Sequence, residues 1–267
     1  MEIEQKRTMD MDTVLHNLGV REDTLSGEEE SFLDEQGYLP LPGLMSPEQV
    51  NIFRRRLEDL IRTEGEAAGA EVHQEAGTYR LSDLINKDAI FDFCYTHPKL
   101  LAAIRRILTS DFKVHSLNCR FALPGQGLQA LHMDWRPRDD ADRERVRSGE
   151  YFVANSLWLM NDLTEENGAT RLVSGSHKTG LSPKETMDDP TSTHPDEIRV
   201  IASAGTVVVF NAHTWHGGSQ NRTDDLRCVM HMAFVRRELP QQTDQKQYLL
   251  PETEARLTDE IRMLLDV

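Results

Sequence analysis

The chain has 267 residues, of which 38% are hydrophobic and 28% are charged, a composition typical of a globular protein with a sizeable core. Its formal net charge of −15 and its pI of about 5.1 argue against a nucleic-acid binder, which would need a basic surface. No apolar run approaches the ~18 residues of a membrane span, and "MEIEQKRTMDMD" lacks the apolar core of a signal peptide. We therefore expect a cytoplasmic protein with no membrane partner.

The first third of the chain is predicted to be helical after a flexible acidic arm at residues 1–30. Ser46 is typical of a helix N-cap, and Pro47 suits the first helical position. A second helix is expected over residues 97–110. The apolar residues of the first of these helices recur at helical spacing: Val50, Phe53, Leu57, Leu60 and Ile61.

After residue 110 the hydrophobic period changes to two, which predicts strands. Short strands after a helical third indicate a β-sandwich or jelly roll with helices packed on one face. We expect one domain over residues 31–240 and a C-terminal helical tail over 241–267. The predicted strands are "FKVHSLNCRFAL", "YFVANSLWLMND", "ATRLV", "AGTVVVFNA" and "RCVMHMAFVRR".

Two long irregular stretches, 136–150 and 180–197, interrupt the strands and are typical of lids, binding loops or disordered segments. The arginines and acidic residues of 136–150 favour a solvated mixed-charge segment, in part a helix with i,i+4 ion pairs. The functional alternative is that one or two of these arginines close over an anionic substrate.

The segment "LHMDW" places His132 and Asp134 two residues apart in a strand-like run, so their side chains point to one face. Alone, this pair is weak evidence for a metal site. Since Cys94, Cys119 and Cys228 fit no paired-cysteine zinc site, any metal must be held mainly by His and carboxylate groups. Residues 210–234 supply a third imidazole and then an arginine. Two His and one carboxylate are typical of non-haem Fe(II) oxygenases, and an arginine can bind a carboxylate bidentately.

Together these motifs resemble the phytanoyl-CoA dioxygenase family of Fe(II)/2-oxoglutarate-dependent oxygenases. The resemblance rests on "HMD", "ENGATRLVSGSHK", "WHGGSQNRTDDLR" and "FLDEQGYLPLPGLMSPEQV", and it covers most of residues 31–236. The distal His216 and Arg227 are eleven residues apart, as in that family. The resemblance implies a mainly β fold with flanking helices, built on a double-stranded β-helix (jelly-roll, cupin-like) core.

The resemblance also implies a role for each matching residue. His132, Asp134 and His216 would be the catalytic metal ligands, and Arg227 would bind the distal carboxylate of 2-oxoglutarate. Trp158 occupies a position where the family often has an aromatic residue beside the cosubstrate. Asn118 and Thr170 lie on strands that could reach it.

Other residues have competing interpretations. The spacing to Arg227 favours His216 over His213 as the ligand, and His177 and His115 are interpreted as structural. His231 is predicted to face away from Arg227, and Arg80 is a surface residue by default, with substrate or cosubstrate contact as the alternative. Two departures from the family motif are Ser174, which replaces a proline, and Gly218, which replaces a serine. Whether Ser219 substitutes for that serine stays open.

The predicted cofactors are therefore Fe(II), 2-oxoglutarate as cosubstrate and O2, with succinate and CO2 as co-products. Related halogenases have a small residue in place of the carboxylate, so Asp134 predicts hydroxylation or another oxidation of a small or medium-sized metabolite. Two alternatives stay open: a non-catalytic jelly-roll protein that binds a metal or ligand, and a cupin-type metal-dependent hydrolase or isomerase. The substrate's identity and the oligomeric state are not predicted.

Overall fold

The helices and strands lie in different parts of the chain. The structure, a computed structural model, describes residues 9–72, 76–109 and 111–267. The helices are α1 (Met11–Asn17), α2 (Gly27–Gln36), α3 (Pro47–Glu64), α4 (Phe93–Thr96), α5 (Pro98–Leu108), α6 (Asp140–Arg147), α7 (Pro183–Thr186), α8 (Gln245–Tyr248), α9 (Pro251–Glu254) and α10 (Asp259–Leu265). The strands are β1 (Tyr38–Leu41), β2 (Thr78–Leu81), β3 (Phe112–Ala122), β4 (Val153–Leu159), β5 (Arg171–Val173), β6 (Glu197–Arg199), β7 (Val207–Asn211), β8 (His216–Gly217) and β9 (Arg227–Arg236). Short 3-10 helices occupy Gly65–Ala67, Leu84–Asn86, Ala89–Asp92 and Ser176–Lys178.

The two long predicted helices are confirmed as α3 and α5. Ser46 caps α3 in a capping box with Gln49, in which each side chain accepts a hydrogen bond from the other residue's backbone N–H. In α5, Pro98 takes the first position, and the helix ends at Thr109 in the left-handed conformation. Both helices begin where the capping residues of the sequence place them.

The prediction of a flexible arm over residues 1–30 is wrong from residue 11 onward. Asp10 caps α1, and Met11, Val14 and Leu15 bury one face of that helix against α5 and α10. Residues 1–8 lie outside the described part of the chain. Three apolar residues in two turns are enough to dock a short helix, although the acidic composition around them hides the pattern.

Within the described residues the strands form two antiparallel sheets, and the five predicted strands are confirmed. The larger sheet has the order β1-β7-β4-β9-β3-β2, and the smaller has the order β6-β5-β8. Four further strands, β1, β2, β6 and β8, were not predicted, since runs of two to four residues are too short to show a period of two. The boundaries proposed for the domain and tail stay a prediction, although three short helices do occupy residues 245–265.

The larger sheet separates two environments. One face packs against the helices through alternate residues such as Ala154, Trp158 and Met230. The opposite face meets the smaller sheet, where Leu157, Phe210 and Leu172 belong to a second apolar cluster. Because strand side chains alternate, polar residues on this inner face point into the space between the sheets.

The two irregular stretches are partly ordered by local structure. In 136–150, Asp139 caps α6, and Arg138 pairs with Asp142 at i,i+4, which confirms the mixed-charge helix. The stretch 180–197 holds α7 and the first residue of β6. None of the described helices is both long and apolar enough to cross a membrane.

Candidate metal centre and adjoining chambers

His132, Asp134 and His216 come together between the sheets. A pair of backbone hydrogen bonds of 2.8 Å joins His132 to His216, which aligns the HxD segment with β8. The Nε2 atom of His216 lies 3.3 Å from one oxygen of Asp134, and that of His132 lies 3.7 Å from the other. One ligand atom from each residue lies within 4.8 Å of the other two, so these residues could hold a metal ion.

Neighbouring groups orient all three side chains toward a common point. The Nδ1 atom of His132 lies 2.9 Å from the carbonyl of Ala130, and that of His216 lies 2.8 Å from the carbonyl of Thr214. A carbonyl only accepts hydrogen bonds, so each Nδ1 carries the proton and each Nε2 keeps a free lone pair. Asn155 donates from Nδ2 to Asp134. This arrangement is typical of the groups that orient metal ligands.

The charges of the three groups also suit a cation. Burial lowers the pKa of His132 to about 4, and the neighbouring His216 adds to this effect. Burial raises the pKa of Asp134, but the attraction of His216 outweighs it and holds this pKa well below its usual value. Burial lowers the pKa of His216 in turn, but the same carboxylate outweighs it and raises this pKa. The ionised carboxylate therefore favours a divalent ion at this place, and the ion would compete with a proton for His216.

A cavity of about 280 Å³, the first chamber, opens beside these residues. Arg227, at the start of β9, lies in its wall with 8% of its surface exposed. Burial and then Arg120 lower the pKa of Arg227 to about 10, so it stays cationic at neutral pH. Its Nη1 donates to the carbonyl of Gly168 at 2.7 Å, but among the described residues its Nε has no hydrogen-bond partner. A buried guanidinium with an open donor is suited to bind a carboxylate.

Thr170, predicted beside the cosubstrate, lies in the wall of the first chamber. Asn118 does not; it lines a neighbouring cavity and donates to Gln242. The prediction for Trp158 is wrong. Its side chain lies on the helical face of the larger sheet, packs against Phe93 and donates to Ser156. The adjacent Leu157 faces the chamber instead, since successive strand residues alternate.

The segment that follows His216 packs closely against the backbone of residues 127–129. A Cβ at Gly218 would overlap the carbonyl oxygen of Gly127 and lie 3.3 Å from the side-chain oxygen of Gln129. Gly218 also donates its N–H to that Gln129 oxygen at 3.0 Å. Ser219 points away from the chamber, where its hydroxyl donates to Ala169 and accepts from Arg199. Ser219 therefore does not take the place of the family's serine.

The other histidines and Arg80 lie in defined positions in the structure. The Nε2 of His213 accepts from the backbone N–H of Phe152, and His177 contacts the carbonyl of Asp34, so both have structural partners. The predicted orientation of His231 is wrong, since it shares the inner face of β9 with Arg227. Arg80 is also not a surface residue, because only 2% of it is exposed.

The residues of the first chamber that sequence reasoning missed include the polar side chains of Arg120 and Gln129. Arg120 is on the same face of β3 as Asn118, so the alternation of that strand was a usable signal. Gln129 lies three residues before His132 in an irregular segment, where no periodicity indicates which way a side chain points.

Comparisons with known proteins agree with this geometry. A family model described as Phytanoyl-CoA dioxygenase (PhyH) matches residues 33–229. "Dioxygenase trt7" of Aspergillus terreus is 26% identical over 210 residues, which cover 76% of this chain and 71% of that protein. "Dioxygenase af480" of Aspergillus fumigatus is 27% identical over 213 residues, covering 77% and 65%.

One solved structure similar to this chain is HygX from Streptomyces hygroscopicus with nickel and 2-oxoglutarate bound. It superimposes with a TM-score of 0.64 at 20% identity, over 81% of this chain and 89% of that one. The carbocyclase SnoK from nogalamycin biosynthesis gives a TM-score of 0.63 at 19% identity, over 85% and 92%. At these identities the likeness shows a shared fold.

Proposed function

Because the chain belongs to the phytanoyl-CoA dioxygenase family, we propose that it is a non-haem Fe(II)- and 2-oxoglutarate-dependent dioxygenase that hydroxylates an unactivated C–H bond of a small or medium-sized metabolite. One observation carries the proposal: the buried cation Arg227 lines the same chamber as Asp134 and His216, two of the three residues that could hold a metal ion. A dicarboxylate could span the two, with one end at the metal and the other at the guanidinium.

His132, Asp134 and His216 would hold the iron through two imidazole nitrogens and one carboxylate oxygen. The oriented tautomers and the ionised carboxylate fit a divalent ion with open coordination positions. Fe(II) at this place would supply the activation of O2 that couples the decarboxylation of 2-oxoglutarate, to succinate and CO2, with oxidation of the substrate.

The other residues of the first chamber would position the cosubstrate. Arg227 would bind its distal carboxylate through charge-assisted hydrogen bonds, and the Thr170 hydroxyl would stand beside it. Leu157, Phe210 and Val229 form an apolar wall that would exclude water from the reacting groups. Asn155 would keep Asp134 oriented toward the metal.

We also propose that the core of the fold is a double-stranded β-helix, which is a jelly-roll or cupin-like arrangement. Its support is the pair of facing antiparallel sheets with an apolar cluster and the chamber between them. The structural likeness to HygX, which was crystallised with 2-oxoglutarate, agrees with this architecture. Asp134 favours hydroxylation over halogenation, since its carboxylate occupies the position that a halide would need.

An anaerobic titration tests the proposal. Adding Fe(II) and then 2-oxoglutarate to the metal-free protein should produce a visible metal-to-ligand charge-transfer band that requires both additions. Without a band, the site holds a different metal or none, and the non-catalytic alternative is favoured. Mass analysis of a turned-over substrate then separates hydroxylation, a gain of one oxygen atom, from epimerisation or ring closure.

The variant Arg227→Ala tests the cosubstrate assignment in the same titration. We expect the 2-oxoglutarate concentration at half-maximal band intensity to rise at least tenfold, because the charge-assisted hydrogen bonds to the distal carboxylate are lost. Arg222→Ala is the matched control, because Arg222 is exposed on the loop before β9. An unchanged requirement in Arg227→Ala would show that another group binds that carboxylate.

A further inference from the structure

Arg171 is a buried cation that lies outside the first chamber. On β5, Leu172 packs into the apolar cluster between the sheets, so the preceding side chain is directed to the opposite face of the smaller sheet. Only 2% of Arg171 is exposed there. A buried cation needs ionic and hydrogen-bond partners, and those of Arg171 come from two separate parts of the chain.

The partners of Arg171 belong to the loop before β6, to β6 itself and to the segment that leads into the first metal ligand. Its Nη1 donates to the carbonyls of Thr191 and Ser192, both at 3.2 Å, and to the Oε2 of Glu197 at 3.3 Å. Its Nη2 donates to the carbonyl of Gln129 at 2.7 Å. The shortest of these contacts therefore joins the guanidinium to the segment before the ligand and not to its own counter-ion.

Glu197 supplies the compensating charge. Its side chain is 1% exposed; one oxygen faces Arg171 and the other lies 3.1 Å from the Nε of Arg199. Burial lowers the pKa of Arg171, and the charge of Glu197 opposes this effect. A buried ion pair stabilises a fold little more than an apolar pair of similar shape would, so stability alone does not account for a guanidinium at this place.

The segment that Arg171 holds has no regular secondary structure. Residues 126–131 belong to no helix or strand of the described chain, so backbone contacts with other elements must fix their course. Leu131 donates its N–H to the carbonyl of Pro190 at 2.8 Å, in the loop that Arg171 also binds. A second contact thus joins the same loop to this segment.

The carbonyl that Arg171 binds lies next to the carbonyl that orients a metal ligand. Ala130 follows Gln129, and the carbonyl oxygen of Ala130 lies 2.9 Å from the Nδ1 of His132. Each peptide unit is planar, so only two dihedral angles separate neighbouring carbonyls, and a group that fixes the first restricts the second. Arg171 can therefore act on His132 without touching it.

We propose that Arg171 is a positioning residue of the metal centre, which fixes the carbonyl of Gln129 and thereby the orientation of His132. The inference rests on the proposed function, because it takes His132, Asp134 and His216 to hold the metal. Loss of the guanidinium should loosen one imidazole ligand and so weaken metal binding.

Mn(II) binding to the variant Arg171→Met tests the proposal without turnover. Mn(II) stands in for Fe(II), and electron paramagnetic resonance measures its unbound fraction. We expect the dissociation constant to rise about tenfold or more, which is the usual effect of removing a group that orients a metal ligand. A folded variant that binds Mn(II) as tightly as the wild type would overturn the proposal.

Arg237→Met is the matched control for lost stability. Arg237 also binds two carboxylates and two backbone carbonyls, but it joins the end of β9 to α10 and to the start of β3, away from the first chamber. Both variants should lower the melting temperature. The Mn(II) dissociation constant of Arg237→Met should stay within about twofold of the wild type's, because sites without shared partners act independently. A similar loss of affinity in both variants would assign the effect to general destabilisation and overturn the proposal.

Pulsed electron paramagnetic resonance of the Cu(II)-loaded protein tests the route through His132. The echo modulation from the remote ring nitrogens counts the bound imidazoles, and the wild type should show the contributions of both His132 and His216. In Arg171→Met one contribution should weaken or disappear. Two unchanged contributions in this variant would show that Arg171 does not act through His132.

Arg171→Lys covers the case in which Arg171→Met does not fold. Lysine keeps a charge beside Glu197 but lacks the planar fork that reaches the carbonyl of Gln129 and the loop together. It should also weaken Mn(II) binding, and an unchanged affinity would overturn the proposal. A wild type that binds no Mn(II) would overturn the proposed function as well, whereas equal binding by the wild type and the Arg171 variants would overturn this inference alone.

Discussion

Individual residues decide the chemistry of this chain. Asp134 is held by Asn155 and lies within 3.7 Å of two imidazole nitrogens, so replacing its carboxylate leaves two neutral ligands. Two imidazoles alone bind a divalent ion much less tightly than an ionised triad does, since the anionic ligand is lost.

Asp134→Ala should therefore lose stoichiometric Fe(II) and all hydroxylation. Equilibrium dialysis with iron analysis measures the first, and product mass measures the second. Asp140→Ala, which removes a fully exposed carboxylate, should change neither. Unchanged activity in Asp134→Ala would rule out the metal assignment.

A buried histidine predicts how stability depends on pH. Burial, with the charge of His177 as the next cause, lowers the pKa of His213 from 6.5 to about 3, so the unfolded chain binds this proton more readily than the folded one. The neutral His213 therefore makes its full contribution to stability above pH 6.5. As the pH falls from 6.5 toward 3, the free energy of unfolding decreases through this residue by at most ~1.4 kcal/mol per pH unit.

His213→Gln keeps an acceptor for the Phe152 N–H but cannot titrate. Its free energy of unfolding should fall less steeply than the wild type's between pH 6.5 and 4, as measured by urea denaturation. His16→Gln, at an exposed position, is the control and should follow the wild type. The same slope in all three proteins would show that His213 does not cause the acid sensitivity.

Among the structural elements, the segment around β8 positions the site through backbone contacts. Gly218 follows β8 directly, donates to Gln129 and lies against the carbonyl of Gly127. This contact joins β8 to the segment that leads into His132, so a side chain there would push apart two of the elements that hold the ligands.

Gly218→Ser should lower stability by about 1–3 kcal/mol and raise the 2-oxoglutarate requirement several-fold, since overpacking must be relieved by movement of these segments. Thermal unfolding and the anaerobic titration measure the two effects. Gly27→Ser is the matched control, because a Cβ at Gly27 would have no atom within 4 Å. If Gly218→Ser changed neither the stability nor the 2-oxoglutarate requirement, the contact of Gly218 with residues 127–129 would not fix the position of β8.

At the scale of the whole molecule, both ends of the described chain belong to the core under the larger sheet. Val14 of α1 and Leu264 of α10 are fully buried in the same apolar cluster as Phe112 and Phe234 of the sheet. The helical layer, which packs on the face of the larger sheet opposite the chamber, is therefore completed by residues outside the 31–240 segment.

Val14→Asp should reduce the free energy of unfolding by about 3 kcal/mol or more, since it buries a charge in place of an apolar contact. Thr13→Asp introduces the same group at the exposed neighbouring position and is the control. Chemical denaturation measures both. Equal stability of the two variants would restore the interpretation of residues 11–30 as a loose arm.

Much of this protein was predictable from sequence because the relevant signals are local. Capping residues and helical spacing located α3 and α5, and a period of two located β3, β4, β5, β7 and β9. The HxD spacing and the family resemblance of the distal motif pointed to His132, Asp134, His216 and Arg227, although His132 lies in an isolated bridge and Asp134 in a bend.

Only the tertiary structure decided which face of each strand is directed toward the space between the two sheets. The pairing of β4 with β7 and β9 buries Trp158 beneath the helices and turns Arg227 toward the chamber. Alternation alone already places His231 on the same face of β9 as Arg227. The burial of Arg80 and the docking of α1 likewise depend on elements far apart in sequence. Periodicity specifies that two faces exist, whereas long-range packing determines what each face meets.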